Sequence, residues 1–135
     1  MPHHLINFTI KGDQRGSLIA AEQNHNVPFD IKRVYYIFDT APNVVRGRHA
    51  HRTLEQILIC VSGSCDINVQ EGGMRQTYHL DSPTTGLYIG GVVWREMQHF
   101  SPDAVLLVLA SAYYDETDYI RDYQEFLQLD QQRKK

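Results

Sequence analysis

The stretch Val44-Val45-Arg46-Gly47-Arg48-His49-Ala50-His51 holds the residues of this chain best suited to chemistry. Side chains on a strand alternate between faces, so His49 and His51 share one face while Arg48 and Ala50 share the other. Two imidazoles on the inner face of a small barrel are costly unless they are paired or used. With an unperturbed pKa of about 6.5, histidine serves as acid and base near neutral pH. Gly47 permits close approach by a ligand or by neighbouring backbone. Strict alternation sends Arg46 away from His49. It meets a ligand there only if the chain kinks at Gly47 or if its side chain rounds the rim; otherwise it is a surface arginine.

His49 and His51, followed by Glu55, resemble the first half of the metal-binding pattern of cupins. That resemblance places a further histidine on a later strand, Leu87–Arg95, at the position held here by Arg95. A guanidinium is permanently charged and only donates hydrogen bonds, so it does not ligate a cation. The expectation is a site with no metal and no cofactor. There His49 and His51 exchange protons and Arg95 stabilises negative charge developing on a substrate oxygen. That set suits removal of a proton α to a carbonyl through an enediolate. Arg15, Arg33, Arg46 and Arg95 are candidates for holding a diphosphate, and Tyr35, on the same strand face as Arg33, offers an aromatic surface to a base. Trp94 reads as core, and Tyr113 and Tyr114 as packing for a terminal helix.

The elements that must position these residues are short. Apolar, β-branched or aromatic runs cover Leu5–Ile10, Ser17–Glu22, Ile31–Phe38, Val44–His51, Glu55–Val61, Cys65–Gln70, Arg75–Leu80, Gly86–Ile89, Val92–Gln98 and Ala104–Ala110. Turn residues separate them, including Lys11-Gly12-Asp13, Ser62-Gly63-Ser64 and Ser101-Pro102-Asp103. About ten strands at near-regular spacing predict an all-β fold, an antiparallel barrel or jelly roll. One short C-terminal helix is expected, capped by Asp115 or Asp118, with Ile120, Tyr123, Phe126 and Leu127 on one face.

The 135 residues predict a single domain spanning 1–135. Net charge is −3, which argues against bulk nucleic-acid binding, and no run approaches the roughly 18 apolar residues of a membrane span. The N-terminus lacks the pattern of a secretory signal, so a cytoplasmic protein is expected. Cys60 and Cys65 flank a turn and read as two buried free thiols.

Five blocks extend the resemblance beyond cupins in general. They are Arg15–Leu18; Pro28–Phe38; Arg46–His51; Asp81-Ser82-Pro83 with Gly86–Gly90 and Trp94–Met97; and Val105–Ser111 running into Tyr113–Arg121. In this order the chain resembles the bacterial dTDP-4-keto-6-deoxyglucose 3,4-ketoisomerases, the WxcM-like sugar ketoisomerases of the cupin superfamily. The resemblance implies a metal-free homodimeric jelly roll whose N-terminal strands pair across subunits. It implies an isomerase that moves a keto group from C4 to C3 of a dTDP-linked sugar, toward 3-amino-3,6-dideoxy sugars of lipopolysaccharide O-antigens and other surface polysaccharides. The base falls on His49, with His51 as its partner, and Arg15, Arg33, Tyr35, Arg46 and Gly47 fall around the substrate. On product configuration the residues divide. Arg95 resembles members that form gluco products, Arg15 those that form galacto products, and the blocks near Arg15 and Asp81 lean to galacto. Two other functions fit the same residues: a dTDP-sugar epimerase, and a cupin that binds a nucleotide-sugar without turning it over.

Overall fold

A computed structural model describes residues 2–133. In chain order its strands are β1 (His3–Asn7), β2 (Lys11–Asp13), β3 (Gly16–Leu18), β4 (Arg33–Ile37), β5 (Arg46–His51), β6 (Gln56–Ser62), β7 (Cys65–Glu71), β8 (Met74–Leu80), β9 (Thr85–Ile89), β10 (Trp94–Gln98), β11 (Val105–Ala110) and β12 (Tyr119–Ile120). Helix α1 (Tyr123–Arg133) follows. Two five-stranded sheets, ordered β1-β9-β6-β11-β4 and β12-β5-β10-β7-β8, face each other, and β2-β3 forms a separate hairpin. Every strand pairing within the sheets is antiparallel. This is the cupin-like jelly roll with a short terminal helix that the strand spacing predicts.

Alternation along the strands builds the interior. Leu58 and Cys60 of β6, Cys65, Ile67 and Val69 of β7, Leu87 and Ile89 of β9, and Leu106 and Val108 of β11 interlock between the sheets. The residues between them face outward and are covered in turn. Phe8, Val27 and Phe29 cover Ile57, Ile59 and Leu109 on the first sheet. Phe126 of α1 packs with Ala50, Trp94 and Ile120 on the second. At about 25 cal/mol per Å² of apolar surface these layers supply the main stabilisation. Cys60 and Cys65 are buried free thiols, as the sequence predicts.

Three elements differ from the sequence reading. Lys11-Gly12-Asp13, expected as a turn, is strand β2. Gly12 allows this because a Cβ there would run into the Gly16 carbonyl across the hairpin. Its partner β3 ends at Leu18, well short of Glu22. Asp115 and Asp118 do not cap α1. Asp115 accepts from Thr117 N at the head of a 3-10 turn, Glu116–Asp118, and Asp118 serves the Thr53-Leu54 backbone. The helix begins later, where Asp122 accepts from Gln124 N at 2.9 Å. Ile120 is therefore on β12 opposite Ala50, not on the helix. β1 pairs with β9 from His3 to Asn7 and ends its sheet, so among the described residues its outer edge carries no strand.

Candidate active site

The site is built at one end of the space between the sheets. β5 and β10 set its centre, with His49 directly opposite Arg95. The next pairs are Gly47 with Glu96 and Arg46 with Met97, so Arg48 is an extra residue. This β-bulge is made by two successive residues with positive φ, Gly47 at 84° and Arg48 at 58°. The bulge turns Arg48 outward and returns Arg46 to the face of His49. A Cβ on Gly47 would press on the Arg95 carbonyl at 3.1 Å, so glycine suits both the dihedral and the space.

Arg95 is the largest fully buried side chain, 1% exposed. It donates from Nη1 to Gln56 Oε1 at 2.6 Å and from Nη2 and Nε to the Val93 carbonyl at 3.0 and 3.3 Å. Among the described residues no carboxylate forms an ion pair with it. Burial lowers its pKa to about 10, which still leaves it charged at neutral pH. A buried cation with neutral partners only is an anion site in waiting.

The two imidazoles touch each other edge to face, with centroids 4.8 Å apart. Tyr119, opposite His51 on β12, lies 4.9 Å from His49 and 4.4 Å from His51. His51 is completely buried, and neither of its nitrogens makes a hydrogen bond; Nδ1 of His49 likewise makes none. Burial, then the charge on Arg95, holds His49 down to about 4, with the Gly47 backbone opposing. The same two causes hold His51 down to about 2. Both rings are thus neutral at pH 7, each with a free lone pair.

His49 opens onto a mouth of about 320 Å³ lined by Arg33, Tyr35, Arg46, Gly47, Met97, Tyr119 and Arg121. Arg33 stacks over Tyr35 at 5.2 Å, and its buried Nε has no partner. Tyr35 accepts from Gln56 Nε2 at 3.0 Å, joining the mouth to Arg95. Arg121 lies over Tyr119 at 4.3 Å and pairs with Glu116. Three guanidiniums around one opening favour a multiply charged anion such as a diphosphate. A larger groove of about 490 Å³ lies outside the barrel, between Arg48, Arg75, Trp94 and Tyr123. There Tyr123 and Gln70, Trp94 and Glu96, and Thr77 and Asn68 bond to each other, so it presents no comparable demand for a ligand.

The structure thus gathers His49, His51, Arg95, Arg33, Tyr35, Arg46 and Gly47. It does not gather Arg15. That side chain is 85% exposed on the β2-β3 hairpin and pairs with Asp13 at 2.7 Å. Glu55 is also absent. It accepts from Tyr88 on the other face of β6, and the neutral amide of Gln56 faces inward beside Arg95. Among the described residues no group of three or more histidine, cysteine or acidic side chains is arranged to hold a metal ion. Arg95 beside the two histidines would repel a cation, so the residues present do not suit the cupin metal. Gln56, Tyr119, Arg121 and Asp118 are site residues that the sequence reading missed. Tyr119 and Arg121 alternate on a strand-like stretch, a signal obscured by assigning that stretch to a helix.

A family model described as FdtA: WxcM-like, C-terminal matches residues 1–131. The chain is 56% identical over 126 residues, 93% of its length and 91% of the relative, to the TDP-4-oxo-6-deoxy-α-D-glucose-3,4-oxoisomerase of Aneurinibacillus thermoaerophilus. A 3,4-ketoisomerase crystal structure from Helicobacter canadensis shares 52% identity with a TM-score of 0.92, covering 96% of this chain and 97% of that one. A histidine-to-asparagine variant of the 3,4-ketoisomerase QdtA from Thermoanaerobacterium thermosaccharolyticum, in complex with TDP-4-keto-6-deoxyglucose, shares 45% identity. Its TM-score is 0.95, over 98% of this chain and 96% of that one.

Proposed function

The chain belongs to the FdtA, WxcM-like family, and on that premise we propose that it is an isomerase, a 3,4-ketoisomerase of TDP-4-keto-6-deoxyglucose. The observation that carries this reading is the pair of neutral, mutually touching imidazoles set beside a fully buried guanidinium without an ion-pair partner.

In this reading the diphosphate lies against Arg33 and Arg46, with Arg121 at the edge, and the sugar enters toward His49. His49 takes the proton from C3. The C3–H electron pair becomes the C3–C4 double bond, and the carbonyl π pair moves onto O4. The resulting enediolate faces Arg95, whose donors are already in place and need no reorganisation. C4 is then protonated, and the C3 hydroxyl gives up its proton as the C3 carbonyl forms. Net, one hydrogen moves from C3 to C4 and one from O3 to O4, with no external oxidant or reductant. His51 is His49's partner in this proton handling. An anion at the mouth also weakens the positive field that depresses the imidazole pKa values, making His49 a stronger base when substrate is bound.

The 3-keto product is a suitable acceptor for an amino group, which fits a place in making 3-amino-3,6-dideoxy sugars. Among the described residues no helix is long and apolar enough to cross a membrane, and the nucleotide-sugar substrate fits a cytoplasmic site. A homodimer fits the exposed outward strip of Val34 and Tyr36 on edge strand β4 with Phe38 just beyond its end, exposed by 53%, 60% and 58%.

The test is NMR of TDP-4-keto-6-deoxyglucose with the protein in deuterated water. Movement of the carbonyl resonance from C4 to C3 supports the reading. Deuterium entering C3 or C5 while the carbonyl stays at C4 marks an epimerase, and tight binding without exchange marks a binding module; either result sinks it.

A further inference from the structure

His51 is buried against His49, and its Nδ1 has no hydrogen-bond partner. That atom lies 3.5 Å from Asp118 Oδ2. Asp118 is not a mobile surface acid. Its Oδ1 accepts from Thr53 N and Thr53 Oγ1, both at 2.9 Å, and its Oδ2 accepts from Leu54 N at 3.2 Å. The Asp118 carbonyl in turn accepts from Arg52 N at 2.9 Å. These donors belong to the turn that directly follows His51, so the carboxylate and the imidazole are fixed against each other by the same few peptides.

The inventory of lone pairs shows what is left over. Oδ1 receives two donors, and Oδ2 receives one, leaving Oδ2 an open acceptor position. Two donors near this cavity lack partners, Arg33 Nε and an imidazole N–H of His51, and of the two it is His51 that lies within 4 Å of the carboxylate. A neutral imidazole carries one proton, and the neighbouring carboxylate stabilises it on the facing nitrogen. The separation of 3.5 Å is long for a hydrogen bond, as such contacts often are before substrate binds. His51 lines a different cavity from His49. A separate cavity of about 70 Å³ is lined by His51, Thr53, Asp115, Asp118 and Tyr119, with room for water. Arg33 and Tyr119 line both this cavity and the sugar mouth, so His51 and Asp118 lie just behind the residues that flank His49.

We infer that Asp118 is the positioning residue of the site, holding the proton of His51 on Nδ1 so that Nε2 presents its lone pair to the reacting end of the barrel. This rests on the ketoisomerase reading for its consequence, though not for its geometry. Asp118 does not line the sugar mouth; it selects which His51 nitrogen takes part in proton handling. A purely structural role, tying β12 to the β5-β6 turn, predicts a stability effect and nothing else.

The experiment has two arms. First, ¹H–¹⁵N correlation spectra of the wild-type protein with ¹⁵N-labelled histidine, with and without TDP, report the His51 tautomer. The Nδ1–H form is expected, and an Nε2–H form overturns the inference whatever the enzyme does. Second, Asp118→Asn keeps an oxygen for Thr53 but turns an NH₂ toward Nδ1. The tautomer should switch to Nε2–H, and kcat should fall by about 10²-fold or more, while KM and TDP affinity change by less than about threefold. An unchanged tautomer and kcat in a folded variant overturn the inference. If the variant does not fold, the wild-type spectrum alone decides. If the wild-type protein fails to isomerise the sugar, the proposed function falls while the tautomer still decides the role of Asp118.

Discussion

Replacing Arg95 with methionine separates what the residue does for turnover from what it does for the fold. The methionine keeps most of the buried volume and removes the charge and three hydrogen bonds. On the stability side, burial holds the Arg95 pKa at about 10 against 12.5 for a free guanidinium, a cost of about 3 kcal/mol to the folded state at about 1.4 kcal/mol per tenfold. The variant recovers that cost. It also leaves Gln56 Oε1 and the Val93 carbonyl without donors, at about 1–3 kcal/mol for each group that water or a rotated amide does not satisfy. The two terms nearly cancel, so the melting temperature should stay within roughly 8 °C of the wild type, or about 2 kcal/mol at this chain length. Leu106→Ala, a truncation at an equally buried position, should cost about 2–5 kcal/mol. Turnover has no such offset. Loss of a preorganised donor to a developing oxyanion costs about 10²–10³ in kcat, or about 2.7–4 kcal/mol. Steady-state kinetics beside calorimetry measure both. A kcat within tenfold of wild type would refute the electrostatic role, and a variant that no longer folds would refute the claim that Arg95 is held at a cost.

His49→Asn should lose about 10²–10⁴-fold in kcat with TDP affinity nearly unchanged by titration calorimetry; near-normal turnover would move the base to His51. Because His49 and His51 titrate lower in the folded chain than the usual 6.5, the unfolded chain binds protons that the folded one refuses. Their contribution is fully present above about pH 6.5 and is lost as pH falls toward 4. Urea unfolding at pH 6 and 5 should differ by about 2 kcal/mol, less in His49→Asn; His79, raised by Asp66 but exposed, acts weakly in the opposite sense. A galacto product should show a small coupling between the C4 and C5 protons, and a large diaxial value excludes it. Sedimentation should show a dimer at micromolar concentration, and Val34→Glu with Tyr36→Glu should shift it toward monomer; a wild-type monomer rejects the β4 interface.

Period-two alternation placed most strands within a residue or two, because each buried face repeats plainly: Leu58 and Cys60, Ile67 and Val69, Leu106 and Val108. The same rule predicted that His49 and His51 share a face. It failed where a long-range partner overrode local pattern. Tyr119 and Ile120 are too short a run to read as a strand, and they become one only because β5 lies alongside them. Lys11–Asp13 has no apolar pattern at all, and its pairing depends on what Gly12 permits. Glu55 and Gln56 show how narrow the margin is. One step along β6 exchanges a carboxylate for an amide beside Arg95, and with it an ion pair for an unpaired cation. Arg46 makes the same point in reverse. By strict counting it faces away from His49, and nothing local to the sequence requires Arg48 to leave the ladder. The bulge becomes visible only in register, when His49 pairs with Arg95 while Gly47, not Arg48, pairs with Glu96. The glycine marks where the chain is free to bulge; the facing strand determines that it does, and so turns a surface arginine into one that lines the mouth beside His49.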